Sequence, residues 1–325
     1  MPSPSSSLAT LRPDLAASLE EFDLESNYGG FIGSQVFPVL NVAERSGNFG
    51  IIPIEQLLQE ADTERAPGTG YARGKWKFET GTYTTAEHGW EEPVDDNEAA
   101  AYGNYFRAEV VATARARAHV LINKEKRVAA AVFNATTYAS QKTTITNEWD
   151  DAAAAIPIND VETAVRAVYN RSGLWPNCLI MNRLVFRNLR LCDQIREELT
   201  ASGAGQSALQ SEIAIQQLQK AFDLPYILVA GGIRNSANEG QAATIAQIWD
   251  SEYAMVCRIA MSDDFREPCI GRSFHWGGDG SSPDGTVESY RDEAIRSDII
   301  RCRHQMQEKN IHIAAAQLLD NVTTI

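Results

Sequence analysis

The sequence predicts an α+β fold in which a long helix and a group of antiparallel strands form one discontinuous unit around an inserted α/β unit. Three observations carry this. Helix-forming residues run from about Asp95 to Asn134 with Gly103 as the only breaker, well beyond the length of an ordinary globular helix. From Asp150 the pattern alternates between helical and strand-like segments. Beyond Gly271, strand-like runs are separated by turns rich in Gly, Asp and Ser.

The front of the chain reads as an arm. Residues 1–27 mix Ser, Pro and acidic residues with one amphipathic stretch, Leu15 to Phe22, before the Gly29-Gly30 break. Phe31 to Val42 looks extended, and Pro38, which lacks a ladder donor, confines it to an edge strand or strap. Lys75–Glu79 and Thr82–Ala86, joined by Thr80-Gly81, read as a β-hairpin with Trp76 and Phe78 on one face. Such a hairpin is marginal alone in water and is expected to pack on another chain.

After Pro93, Asp95 or Asp96 can cap the long helix and Glu98 can complete a capping box. Tyr102, Phe106, Val110, Ala114, Leu121, Val128 and Val132 make one apolar stripe. At ~1.5 Å per residue an unbroken rod here is roughly 55–60 Å long. Its stripe is alanine-rich and lacks sustained Leu or Ile, which predicts a spine lying on a sheet instead of a coiled coil. Helices are expected at Asn159–Arg171, Asn182–Leu199 and Ser211–Phe222, with a polar loop at 200–207. Strands are expected at Cys178–Met181, Tyr226–Ala230, Ala243–Trp249 and Tyr253–Ile259. The terminal unit takes Gly271–Trp276, Val287–Tyr290, Asp298–His304 and Asn310–Ala315 as strands.

Composition narrows the function. The chain has 325 residues, 44% of them hydrophobic, enough for one large core or two smaller ones. Its formal charge of -14 argues against a protein that wraps nucleic acid, which needs Lys and Arg to neutralise phosphates. No segment approaches the ~18–20 apolar residues a membrane span requires, and Met1 to Ser5 lacks the basic and apolar regions of a signal peptide. A cytoplasmic site of synthesis is the expectation. Five cysteines without a CxxC pair fit reduced, buried thiols. Charge is uneven: residues 1–100 hold 17 acids against 6 bases, whereas 101–134 hold 6 bases against 2 acids. The two regions are either solvated faces or surfaces that complement each other within or between subunits.

Candidate chemistry falls away on detail. Gly68 to Lys75 imitates a phosphate loop, but five residues separate its outer glycines and Trp76 replaces the Ser or Thr that would hold magnesium. Gly29-Gly30-Phe-Ile-Gly33 lacks the spacing and the βαβ context of a dinucleotide site. Cys257, Cys269, His275, Cys302 and His304 have no zinc-finger spacing, and Asp279 and Asp284 lack the closing Glu of a calcium loop. No nucleophile-and-base arrangement stands out, and capping explains Glu91-Glu92 and Asp95-Asp96. The expectation is no catalytic, cofactor or metal site.

Several phrases, in order, resemble the major capsid proteins of tailed bacteriophages: Phe31-Ile-Gly-Ser-Gln-Val-Phe-Pro38-Val, Arg65-Ala-Pro-Gly68 and Trp90-Glu-Glu-Pro93-Val-Asp-Asp. Gly173-Leu-Trp-Pro-Asn177, Phe222-Asp-Leu-Pro225-Tyr-Ile and Gly271-Arg-Ser-Phe-His-Trp276 continue the series. The resemblance covers nearly the whole chain. It implies the phage capsid-shell fold shared with encapsulins: an N-terminal arm (1–46), an extended β-hairpin called the E-loop (47–93), and a P-domain made of a spine helix (94–150) and terminal strands (262–325). An α/β A-domain (151–261) is inserted between them, with the 200–207 loop toward a symmetry axis.

The same resemblance implies a structural subunit that self-assembles as hexamers and pentamers of an icosahedral or prolate head around double-stranded DNA. Arg65, Lys75, Trp76 and Lys77 would lie at subunit interfaces. A separate scaffolding protein is expected because the front arm is short, together with a portal, possible decoration proteins and weakly contacted DNA. An encapsulin-type nanocompartment shell is the nearest alternative, and an α/β enzyme a more distant one.

Overall fold

The computed structural model describes residues 30–51, 53, 59–61, 63–75, 77, 79–102, 108–199, 215–238 and 240–324. A helical turn at Gly33–Val36 precedes strands β1 (Val39–Val42), β2 (Ser46–Ile51), β3 (Glu79–Thr84) and β4 (Ala86–Asp95). Helices Asp96–Tyr102 and Ala108–Val132 lead to β5 (Lys142–Thr144). Helix Pro157–Ser172, β6 (Cys178–Asn182) and helices Arg183–Leu189, Asp193–Leu199 and Ile215–Phe222 follow. The chain continues through β7 (Tyr226–Ala230), β8 (Ile233–Asn235), β9 (Ile245–Gln247) and β10 (Ala254–Cys257), then β11 (Gly271–Trp276), β12 (Thr286–Asp292), β13 (Ser297–Asn310) and β14 (Ala316–Asp320).

Strand β13 organises the first sheet. One edge pairs antiparallel with β4 from Ser297↔Asp95 to Met306↔Ala86, and the other takes β12 and then β11, with β1 parallel outside β11. Period-two alternation turns Arg301 and Arg303 outward while Ile300, Cys302 and His304 face in. The long helix Ala108–Val132 lies on that inner face. Ala112 packs on Ile300 and Val94, and Ala116 and Val120 pack on Cys302, the small side chains letting helix and strand approach closely.

The helix buries Ala112, Ala116, Val120, Lys124, Val128 and Val132, a step of four residues. Each such step advances about 40° around a 3.6-residue helix, so the buried line winds from one side to another. Its first half faces the first sheet, and Val128, Ala129 and Val132 join a different core. This corrects the expected stripe: Val110 is 59% exposed and Ala114 is exposed, because the contacts select small residues over large apolar ones. Phe106 and the side chain of Tyr102 lie outside the described residues. Asp95 caps the helical segment by accepting from the Asn97 amide at 2.8 Å.

The second sheet has the order β5-β14-β10-β6-β7, antiparallel at its centre and parallel at both flanks. β6 and β10 are buried throughout, which explains their uninterrupted apolar sequence. Leu179, Met181, Val256 and Leu319 face one core under the four shorter helices. Cys178, Ile180, Met255 and Leu318 face the other, which they share with Val36, Phe37 and the far half of the long helix.

Four further expectations are corrected. Thr80-Gly81 is no turn: it lies within β3, which pairs with β2, and a Cβ on Gly81 would sit 2.4 Å from the Phe49 ring across the ribbon. Gly81 therefore serves ring packing. Glu91 and Glu92 lie in edge strand β4, where Pro93 is tolerated, and not in a helix approach. The expected Asn182–Leu199 helix breaks between Leu189 and Asp193, with the Asn182 side chain capping Leu184 N at 2.9 Å. The last expected strand, Asn310–Ala315, is instead the end of β13 and a 3-10 turn at Ile313–Ala315. This turn swings β14 into the second sheet. Residues 200–214 lie outside the described residues.

Candidate subunit interface

Ribbon β2–β3 is rooted on the first sheet by aromatic rings. Phe274 of β11, 1% exposed, stacks on Tyr83 with centroids 4.9 Å apart and planes at 4°, and on Phe49 at 5.6 Å. Phe265 closes the cluster against Phe49 at 5.2 Å. Gln307 accepts from the Thr84 amide at 2.7 Å, and the Lys309 ammonium donates to the Thr82 carbonyl. The Thr85 hydroxyl, on a residue 1% exposed, donates to the Arg45 carbonyl at 3.0 Å.

The connection between β2 and β3 contrasts with that root, since residues 63–75 are exposed. Gly68 adopts φ 89°, a left-handed conformation only glycine takes freely, and closes a turn in which Thr69 donates from its amide (3.1 Å) and hydroxyl (2.8 Å) to the Ala66 carbonyl. Arg65 donates from Nε to the Thr69 carbonyl at 2.7 Å, and its guanidinium lies 4.8 Å from the Tyr71 ring centroid. Tyr71 is 72% exposed. A Tyr and an Arg, residue types enriched at interface hot spots, thus lie exposed and held against each other.

Of the residues singled out from sequence, the structure places Arg65 in this stapled turn and Lys75 and Lys77 on the exposed connection, apart from it. Trp76 lies outside the described residues. Tyr71 was missed, since a lone aromatic beside Gly70 has no periodic signal. Within residues 63–77, Arg65, Arg73, Lys75 and Lys77 stand against one acid, Glu64, whereas Glu55, Glu60 and Asp62 precede them, so charge is segregated along the connection.

The outer face of the first sheet carries an ion network. Arg303 pairs with Asp279 (2.6 Å) and Glu288 (2.7 Å), and Arg301 also reaches Glu288 at 2.8 Å. Arg291 grips Asp96 through both terminal nitrogens at 2.7 Å. Hydrogen bonds from Arg303, then Arg301, pull the Glu288 carboxyl down to about 2 from its usual 4.5, and Arg291 likewise lowers Asp96. Depressed folded-state pKa values stabilise the fold above the unfolded values and lose that contribution as pH falls. The melting temperature is therefore expected to drop between pH 4.5 and about 2. Glu288→Gln should flatten the drop; an unchanged slope in a thermal scan series would refute this.

The remaining candidates have structural partners. Among the described residues, no group of three or more His, Cys, Asp or Glu could hold a metal. All five cysteines are buried free thiols, and His275 bonds Asn41 at 2.9 Å. Asp279 and Asp284 go to Arg303 and Lys124. After Lys75 comes strand β3 and not the helix a phosphate loop requires. No described helix is long and apolar enough to cross a membrane.

No protein-family model matches the chain. It is similar to the major capsid protein of Pseudomonas phage JBD67, with 24% identity over 199 residues, 60% of this chain and 62% of that relative's length. A phage-related protein from Bordetella bronchiseptica RB50 superposes with TM-score 0.67 and 20% identity over 96% of this chain and 97% of that one. The capsid of cyanophage P-SCSP1u matches with TM-score 0.58 and 11% identity over 88% and 86% of the two chains. This chain has the phage capsid-shell fold. An encapsulin from Synechococcus elongatus shares it at TM-score 0.52 and 10% identity over 89% and 86%.

Proposed function

We propose that the chain is a structural shell subunit whose copies assemble as hexamers and pentamers of an icosahedral or prolate phage head around double-stranded DNA. The observation that carries this is the agreement of nearly the whole chain with a capsid fold, joined to a connection whose residues 63–75 are exposed. In this reading residues 1–46 are the arm, 47–93 the E-loop, 94–150 and 262–325 the P-domain, and 151–261 the A-domain. Strand β14 is lent by the P-domain segment to the A-domain sheet. The subunit's role is structural, located in the virion capsid and assembled in the host cytoplasm. A separate scaffolding protein, a portal and possible decoration proteins are its proposed partners, with packaged DNA contacted weakly.

Expression of the full chain, alone and with the other head proteins, followed by electron microscopy, tests the reading. Symmetric shells that package DNA are expected. A monomer under every assembly condition would overturn it, and shells filled with protein cargo would move it to the encapsulin type.

A further inference from the structure

We infer that Glu125 is a positioning residue that fixes the start of the described fold, by clasping Ile32 and Gly33 to the long helix. Every group in this clasp belongs to one subunit, so the inference stands apart from the shell reading. The Glu125 carboxylate is 3% exposed and gathers three donors from two distant parts of the chain. Oε1 accepts from the Ile32 amide at 2.8 Å and from the Trp249 indole at 2.7 Å, and the Gly33 amide reaches Oε1 at 3.1 Å and Oε2 at 2.9 Å. The two amides open the Gly33–Val36 turn and have no partner within it.

The two glycines leave room for these contacts. A Cβ on Gly33 would lie 2.5 Å from Glu125 Oε2, and one on Gly30 would lie 2.7 Å from the Gly231 backbone, where the Gly231 amide donates to the Gly30 carbonyl at 2.9 Å. The described chain begins pinned at two successive points, Gly30 beside the end of β7 and Ile32-Gly33 on the long helix. Lys124, the preceding residue, is also buried and turns the other way, donating to the Pro283 carbonyl at 3.3 Å and lying 3.8 Å from Asp284. One turn of the helix therefore holds both the first described residues and two loops, the one before β10 and the one before β12. Burial raises the Glu125 pKa, an expense that hydrophobic packing alone would avoid.

Glu125→Gln keeps the size but offers one acceptor to three donors and turns an NH2 group toward an N–H. Hydrogen exchange on the unassembled full chain reads the result. The Ile32, Gly33 and Gly231 amides should exchange about 10- to 100-fold faster relative to the Leu179–Met181 amides in the same molecule. Gly33→Ala, which in a helical turn ordinarily stabilises, should open the same amides by pushing the carboxylate away. Unchanged exchange in both variants, or a rise shared equally by the reference amides, would overturn the clasp. A wild-type chain that never forms shells counts against the shell reading, while the exchange pattern still decides the clasp.

Discussion

Replacing residues 63–77 with a short Gly-Ser linker is expected to abolish shell assembly while shifting the melting temperature of the unassembled subunit by no more than about 2 °C. The stability side follows from packing. Residues 63–75 are exposed, and Arg65, Ala66, Thr69 and Tyr71 bond to one another, so removing these four breaks contacts within the turn itself. The assembly side follows from multiplicity. A contact of one or two kcal/mol repeated at every subunit decides between a closed shell and free protein, because each added subunit gains it several times over. Sedimentation and microscopy check the first half, calorimetry the second. Normal shells from the linker variant would remove this connection from the proposed interface.

Phe274→Ala is expected to cost about 3–5 kcal/mol, lowering the melting temperature by about 4–7 °C. Its ring is fully enclosed by Tyr83, Phe49 and Phe265, which come from three separate segments, so truncation leaves a cavity that no single neighbour can collapse into. Phe274→Leu keeps apolar volume without the flat face and is expected to cost about 1–2 kcal/mol. Because the cluster roots the β2–β3 ribbon, the Ala variant should also expose residues 79–84 to proteolysis before the second sheet opens. Simultaneous cleavage of both regions would show that the ribbon has no root of its own.

What could be read from the sequence depended on whether each residue's role was local. β6 was legible because burial on both faces demands an unbroken apolar run, Cys178–Met181, and the edge strand β7 because its run Tyr226–Ala230 is as apolar although only partly buried. β2 was not, since Gly47 and Gly50 dilute its pattern and its pairing partner lies past a long connection. The long helix was evident from propensity, yet its contact line was misphased: Val110 and Leu121 look like core residues, while the true line runs through Ala112 and Ala116 and includes a charged Lys124. At the candidate interface, Arg65 and the two lysines came from their place in an ordered set of phrases. Tyr71 needed coordinates, because only the turn at Gly68 brings its ring beneath the guanidinium.

β14 sits between β5 and β10, closing the seam of the second sheet with residues that follow all of the first sheet in the chain. A nascent chain emerging from the ribosome therefore carries the second sheet without β14 until residue 320 is free, and β10 offers a bare, apolar edge until then. Products cut short of residue 320 are expected to keep that edge open, so the order of strands along the chain itself marks a molecule that lacks this piece.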